Sequence, residues 1–334
     1  MRRFLCFVAI ATLTLLCSTA QGTKQKRVVG GRTAAYLYVR HLAYIQIITN
    51  NGFYYTCTGS VVARRWILTA AHCVDAYGTG DDADKKKTHV YIGSKLTIPD
   101  ESERRYFLED IFLQKKFQSD LNDFRNDVAM LKLKDDIVEH KYHPVRIGTA
   151  PVQGSTVIAA GYGSVDEDGT RAVEAMETNV VTQNFSTCSQ REINSIRQTL
   201  DNRVQVCIIR LFMTVGDGDG DSGGPLFRVN EEGKVIQFAS TSFSTKGCAE
   251  PGGVAWYARL WSYRRAISKL IRGDTNSSFR RMAAVNADTK TSEGEASWRH
   301  KPTRIGVRLD LKRMRDRASE EDDVEASPEE EAYA

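Results

Sequence analysis

The sequence predicts an all-β fold, an antiparallel sandwich or barrel closed by a C-terminal helix and followed by a disordered charged tail. Three observations carry this. Short β-branched and apolar runs recur from Tyr36 to about Ala258. Gly, Asp and Asn punctuate them, as in Asn50-Asn51-Gly52, a hairpin signal between two runs. A helical period is prominent only from Leu260 to Ile271. Short strands broken by such turns suit an antiparallel sandwich or barrel.

Taken in order, the expected strands include the runs 43–48, 60–62, 66–69, 89–92, 128–133, 156–160 and 235–238. In the expected helix, Leu260, Tyr263, Ile267, Leu270 and Ile271 share one face, with Arg264, Arg265 and Lys269 opposite. Gly273 closes it. Composition then shifts. Residues 299–317 carry eight basic and two acidic side chains, and residues 318–334 carry eight acidic and no basic ones. A basic block followed by an acidic block reads as a solvated, disordered tail over 274–334.

The chain of 334 residues has ample material for a core. Its net charge of +4 is too small to argue for a nucleic-acid partner. Residues 1–20 read as a signal peptide: Arg2 and Arg3, an apolar run from Phe4 to Cys17, then Ser18-Thr19-Ala20. That run is short for a bilayer span, so a secreted, extracellular protein is expected, with no membrane association. Two of the seven cysteines, Cys6 and Cys17, leave with the signal peptide; Cys57, Cys73, Cys188, Cys207 and Cys248 remain. An odd count in an oxidising compartment leaves at least one thiol unpaired or joined to another chain. Asn184-Phe185-Ser186 and Asn276-Ser277-Ser278 fit the N-glycosylation pattern.

Three stretches suggest chemistry. Val215–Pro225 alternates Gly and Asp before Ser222-Gly223-Gly224. Such a run forms a loop, either a surface turn, with or without Ca²⁺, or one whose backbone N–H groups face an anion. A serine nucleophile needs a base, and that base needs an acceptor to fix its tautomer. His72, within Leu68–Cys73, and Asp127, within Arg125–Leu131, are of the right types.

Thr69-Ala70-Ala71-His72-Cys73, Asn126-Asp127-Val128-Ala129 and Gly220-Asp221-Ser222-Gly223-Gly224-Pro225 together resemble the signature blocks of the trypsin/chymotrypsin-like serine proteases. The resemblance spans about Val28 to Arg272. It implies two packed six-stranded antiparallel β-barrels with the site between them and a C-terminal helix. It assigns His72 as general base, Asp127 as its orienting partner and Ser222 as nucleophile. The N–H groups of Gly220 and Ser222 form the oxyanion hole, and Ser242 supports Asp127. Arg27-Val28-Val29-Gly30-Gly31 resembles an activation site, so residues 21–27 are a propeptide and residues 28–273 the protease domain. Cleavage after Arg27 would free the Val28 ammonium to pair with Asp221. The resemblance also implies Cys57–Cys73 and Cys188–Cys207 disulfides.

The chain departs from this pattern around the specificity pocket. Gly218 stands where a cysteine usually pairs with the counterpart of Cys248, which is left over. Gly216 stands where trypsin-like members carry aspartate, and Asp217 follows it. Phe243 replaces a usual tryptophan, and Ser244 a usual glycine at the pocket mouth. With Gly216, Asp217, Ser242, Phe243 and Ser244 as pocket residues, the preference leans to Arg or Lys on the acyl side of the cut, with a small or aromatic side chain as the alternative. The expected function is a secreted serine endopeptidase acting on protein or peptide substrates. Its expected partners include an activating protease and protein inhibitors. The mechanism needs no cofactor and no metal, although the acids from Asp100 to Glu103 leave a Ca²⁺ site open. The other reading is a catalytically inactive, protease-like binding protein.

Overall fold

The computed structural model describes residues 31–75, 82–97, 103–118, 123–138, 142–164, 172–192, 199–209, 220–244, 253–274 and 276–282. The expected signal peptide, the propeptide, Val28, the segment 211–219, Cys248 and residues 283–334 lie outside them.

The chain enters through β1 (Arg32–Thr33) and one helical turn, α1 (Tyr36–Val39). Six strands then build the first barrel: β2 (Leu42–Ile48), β3 (Tyr54–Ala63), β4 (Trp66–Thr69), β5 (His89–Ile92), β6 (Tyr106–Gln114) and β7 (Ala129–Leu133). They run in the order β6-β5-β2-β3-β4-β7, and pairing of β6 with β7 closes the cylinder. The predicted β2–β3 turn is present: Gly52 has φ +82°, and the Gly52 N–H reaches the Thr49 carbonyl.

The second barrel follows with β8 (Arg146–Ile147), β9 (Thr156–Gly161), β10 (Met176–Val181), α2 (Phe185–Glu192), β11 (Gln205–Ile209), β12 (Pro225–Val229), β13 (Val235–Ser244) and β14 (Val254–Arg259). Its path is β10-β9-β12-β13-β14-β11, with β1 added beside β10 and β8 beside β13. A Thr182–Ile208 bridge brings the end of β10 back to β11. Both expected six-stranded barrels are therefore present.

The strand period of two explains why β2 is buried almost throughout. Ala43, Ile45 and Ile47 fill the first barrel. Leu42 and Tyr44 point the other way and pack between the barrels with Tyr91, Tyr162 and Phe227. The Tyr44 and Tyr162 rings meet edge to face at 5.2 Å. A separate cluster of Val157, Leu226, Phe238 and Tyr257 fills the second barrel. The two expected disulfides, Cys57–Cys73 and Cys188–Cys207, are both formed; such bridges each stabilise by about 2–4 kcal/mol.

The C-terminal helix departs from the sequence expectation in two ways. It is not continuous from Leu260. A 3₁₀ turn over Leu260–Ser262 precedes α3 (Arg264–Ile271), with Tyr263 between them. Gly273, at φ +80°, ends α3 as expected, its N–H bonding the Leu270 carbonyl. Second, the ordered body does not stop at Gly273. β15 (Phe279–Arg281) pairs antiparallel with β6 and extends the first barrel's sheet. The first residues of the expected tail are thus part of the fold. Phe279 is buried beside Ile267 and Leu270 of α3. Arg281 donates to both Asp110 oxygens at 2.7 and 2.5 Å, and Arg280 lies 3.4 Å from Asp75. Three residues rich in arginine carry no strand period of their own; the free edge of β6 and its acidic partners supply the strand. Among the described residues, no helix is long and apolar enough to cross a membrane.

Candidate active site

His72 lies in a 3₁₀ turn, Ala71–Cys73, directly after β4. Ala70 and Ala71 are fully buried, and Cys73 is tied to Cys57 on β3, so the turn is held from below. The His72 backbone N–H donates to Asp127 Oδ1 at 2.9 Å, and ring Nδ1 lies 2.7 Å from Oδ2. An ionised carboxylate only accepts, so Nδ1 carries the proton and Nε2 is left basic.

Asp127 is fully buried. Its Oδ2 also accepts the Ser242 hydroxyl at 2.6 Å, giving three donors to one buried carboxylate, which offsets its desolvation. The preceding Asn126 is the only non-glycine with positive φ among the described residues, at +62°. Its Oδ1 accepts the Tyr263 hydroxyl at 3.0 Å, which holds this left-handed residue in place. Burial, with the nearby Asp127 charge, pushes the Tyr263 phenol far above its ordinary range.

Ser222 sits in the turn leading to β12 and is half-buried. Its carbonyl accepts the Thr58 N–H at 2.9 Å and lies 3.6 Å from Cys73 Sγ, so the serine turn is packed against the residue after His72. Gly220 and Gly223 have φ of +106° and +82°. A Cβ on Gly223 would run into Thr69 Oγ1 and the Thr58 carbonyl. Asp221 turns back toward Gly161-Tyr162-Gly163, and its Oδ1 accepts the Gly163 N–H at 2.7 Å.

Of the expected pocket residues, Gly216 and Asp217 lie outside the described residues, as do Arg27, Val28 and Cys248. Ser242 turns its hydroxyl to Asp127. Phe243 stacks on Trp256 at 6.1 Å and on Phe124 at 4.9 Å, and Phe124 meets the His72 ring edge-on at 5.9 Å. This aromatic row links the imidazole to Trp256, which packs with the Cys188–Cys207 bridge. Ser244 is half-buried and pairs with Ala255 at the end of β13. Of the acids considered for Ca²⁺, Asp100 and Glu101 lie outside the described residues, and Glu103 accepts the Ser94 hydroxyl. Among the described residues, no three His, Cys, Asp or Glu side chains converge as a metal site.

Thr58 and Phe124 carry no sequence signal of a role at the site beyond their neighbours, and Tyr263 is read from the sequence only as part of the apolar face of the C-terminal helix. Thr58 adjoins a bridged cysteine and Phe124 stands three residues before Asp127; these proximities were the signals available.

The family model described as Trypsin matches residues 28–267. Chymotrypsin-like elastase family member 1 of Macaca fascicularis is 27% identical over 79% of this chain and 98% of its own. Chymotrypsin-C of Bos taurus is 28% identical over 64% of this chain and 79% of its own. Trypsin I-P1 of Gallus gallus is 24% identical over 78% of this chain and 95% of its own.

Proposed function

The chain belongs to the trypsin family, and from that membership we propose that it is a secreted serine endopeptidase using His72, Asp127 and Ser222. The observation that supports this most directly is the doubly bonded His72–Asp127 pair, whose buried carboxylate holds the proton on Nδ1 and makes Nε2 the basic nitrogen.

In this reading Nε2 takes the Ser222 proton as Oγ attacks the scissile carbonyl. The oxyanion forms against the Gly220 and Ser222 N–H groups. His72 then protonates the leaving amine, and water hydrolyses the acyl-enzyme by the same route in reverse. Asp127 holds the imidazole in one tautomer and stabilises its charged form. A hole donor of this kind contributes about 3 kcal/mol to the transition state.

Cleavage after Arg27 activates the enzyme in this proposal, by freeing the Val28 ammonium for Asp221. Asp221 is one residue from Gly220 and Ser222, so any movement of its carboxylate is felt at both hole donors. Asp217 inclines the pocket to Arg or Lys. A small or aromatic side chain is the competing preference; two of the relatives are named chymotrypsin-like elastase and chymotrypsin-C rather than trypsin. A panel of short peptide substrates separates these, and no cleavage after Arg or Lys removes the basic preference.

The test of the activity itself is labelling of Ser222 by an organophosphonate in protein cut at Arg27. Labelling that disappears in Ser222→Ala and His72→Ala supports the enzyme. Correctly processed protein that takes up no label is the binding protein instead. An uncut Arg27→Gln protein with full activity would sink the activation step.

A further inference from the structure

β3 turns a row of hydroxyls toward the second barrel. Residues two apart on a strand share a face, so Thr56, Thr58 and Ser60 lie side by side, all buried. Ser60 Oγ donates to Gln237 Oε1 at 2.7 Å. Thr58 Oγ1 donates to the Gly220 carbonyl at 2.8 Å and accepts the Tyr162 N–H at 3.0 Å. Its main chain reaches the same loop, the N–H donating to the Ser222 carbonyl at 2.9 Å. The Thr58 carbonyl in turn accepts Thr69 Oγ1 at 2.9 Å. Every polar atom of one fully buried residue is therefore engaged, and two of them hold the turn between Gly220 and Ser222.

We propose that Thr58 is a positioning residue for the oxyanion hole. Gly220 is free to rotate as no other residue is, and it sits at φ +106°. Something outside the loop has to hold its N–H in the direction of the developing charge. The packing does part of this: Tyr162 O and Gly163 Cα lie 3.2 and 3.3 Å from where a Gly220 Cβ would stand. The Thr58 hydroxyl does the rest by fixing the carbonyl of the same glycine. Without it, that carbonyl loses the Thr58 donor, and the glycine can respond by rotating, which re-aims its N–H. The Tyr162 N–H bond makes the same hydroxyl a link to the strand end that carries the Asp221 contact at Gly163. The inference rests on the reading of the Gly220 N–H as an oxyanion donor.

The test compares processed full-length wild type, Thr58→Val, Thr58→Ser and Ser60→Ala on the best peptide amide substrate. A peptidyl aldehyde, which forms an oxyanion with Ser222, and the matching alcohol, which cannot, serve as ligands. Thr58→Val is expected to lower kcat about 10–100-fold with KM changed less than about threefold, the pattern of a contact that acts in the transition state. Aldehyde binding weakens in parallel and alcohol binding does not. Thr58→Ser, which keeps the hydroxyl, stays within about threefold of wild type. Ser60→Ala breaks a neighbouring bond between the barrels and lowers thermal stability without the loss of kcat. If Thr58→Val does not fold, Thr58→Ala, smaller and also without a hydroxyl, carries the same comparison. An active wild type whose Thr58→Val or Thr58→Ala variant keeps its kcat and aldehyde affinity overturns the inference alone, as does an equal loss of kcat in Ser60→Ala. A processed wild type inert to substrate and organophosphonate overturns the enzyme reading and this inference with it.

Discussion

Ser242 donates its hydroxyl to Asp127 across the boundary between the two barrels, 2.6 Å from Oγ to Oδ2. Ser242 comes from β13 and Asp127 from the turn ahead of β7, so the geometry of the imidazole depends on how the barrels are docked. Ser242→Ala removes one of three donors to a buried carboxylate, an interaction of about 1.5–3 kcal/mol for a charged acceptor. We expect kcat/KM to fall about tenfold in that variant, against about 10⁴-fold in Asp127→Asn, where the wrong imidazole tautomer is favoured. Steady-state kinetics and the low-field Nδ1 proton resonance of His72 check this together; an unchanged rate in Asp127→Asn would remove the aspartate from the mechanism.

The residues that meet across this boundary differ in how legible they are in the chain. His72, Asp127 and Ser222 each lie within a short local pattern, and the β-strands follow from alternation that each segment carries by itself. Thr58 and Phe124 do not have this advantage. A threonine in a strand is ordinary until the Gly220 carbonyl is placed against it, and a phenylalanine in a loop is ordinary until it stacks on Phe243. β15 escaped for the same reason: Phe279-Arg280-Arg281 becomes a strand only because β6 offers an open edge and Asp110 offers a carboxylate. What is decided by a partner far away in sequence is hidden from any reading of one segment.

Gly163 is such a case with a direct consequence. Its N–H holds Asp221 Oδ1, and a Cβ at this position would collide with the Asp221 carboxylate itself. Gly163→Ala must therefore displace the Asp221 carboxylate, the group that the proposed activation step needs in place between Gly220 and Ser222. Misplacement of a reacting group by about 1 Å costs on the order of 100-fold in rate, and we expect at least that loss in kcat/KM with Ser222 labelling slowed to match. Gly154→Ala is the control. It has φ +82° but open space around it, so it costs about 1–2 kcal/mol of stability as backbone strain and leaves the rate alone.

The strand beyond α3 contributes stability by two separable routes. Phe279 is 5% exposed, and Phe279→Ala should cost about 3–5 kcal/mol in urea unfolding. Arg281→Ala should cost less, because the arginine is solvent-exposed, and its effect should depend on pH. Burial alone would raise the Asp110 pKa, but hydrogen bonds and charges from Arg281 and Lys85 outweigh it and hold the carboxyl below its ordinary value of 3.8. A carboxylate depressed in the folded state stabilises above its unfolded pKa and loses that contribution as pH falls through the folded value. Wild type and Arg281→Ala should therefore differ in melting temperature at neutral pH and converge once the pH falls below the range in which Asp110 titrates. A difference that persists unchanged at low pH would show that the arginine acts through packing alone.

His41 gives a response of the same sign in a higher pH window. It is 6% exposed, and its Nδ1 donates to the His143 carbonyl at 2.6 Å. Burial lowers its pKa below 6.5 most strongly; the backbone bond to His143 opposes this, and the His143 and Arg40 charges add to the lowering. The native state therefore keeps this ring neutral while the unfolded chain binds a proton first. Its stability contribution is complete above pH 6.5 and is lost as pH falls below that value. His89, also lowered chiefly by burial, adds to the same slope. We expect urea midpoints to fall between about pH 6.5 and 5 in the wild type, the range in which an unperturbed histidine gains its proton. His41→Asn, whose Nδ2 can reach the same carbonyl without titrating, should reduce that slope, and with His89→Gln the slope in this window should fall further. A double variant that keeps the full wild-type slope would place the acid sensitivity in other groups.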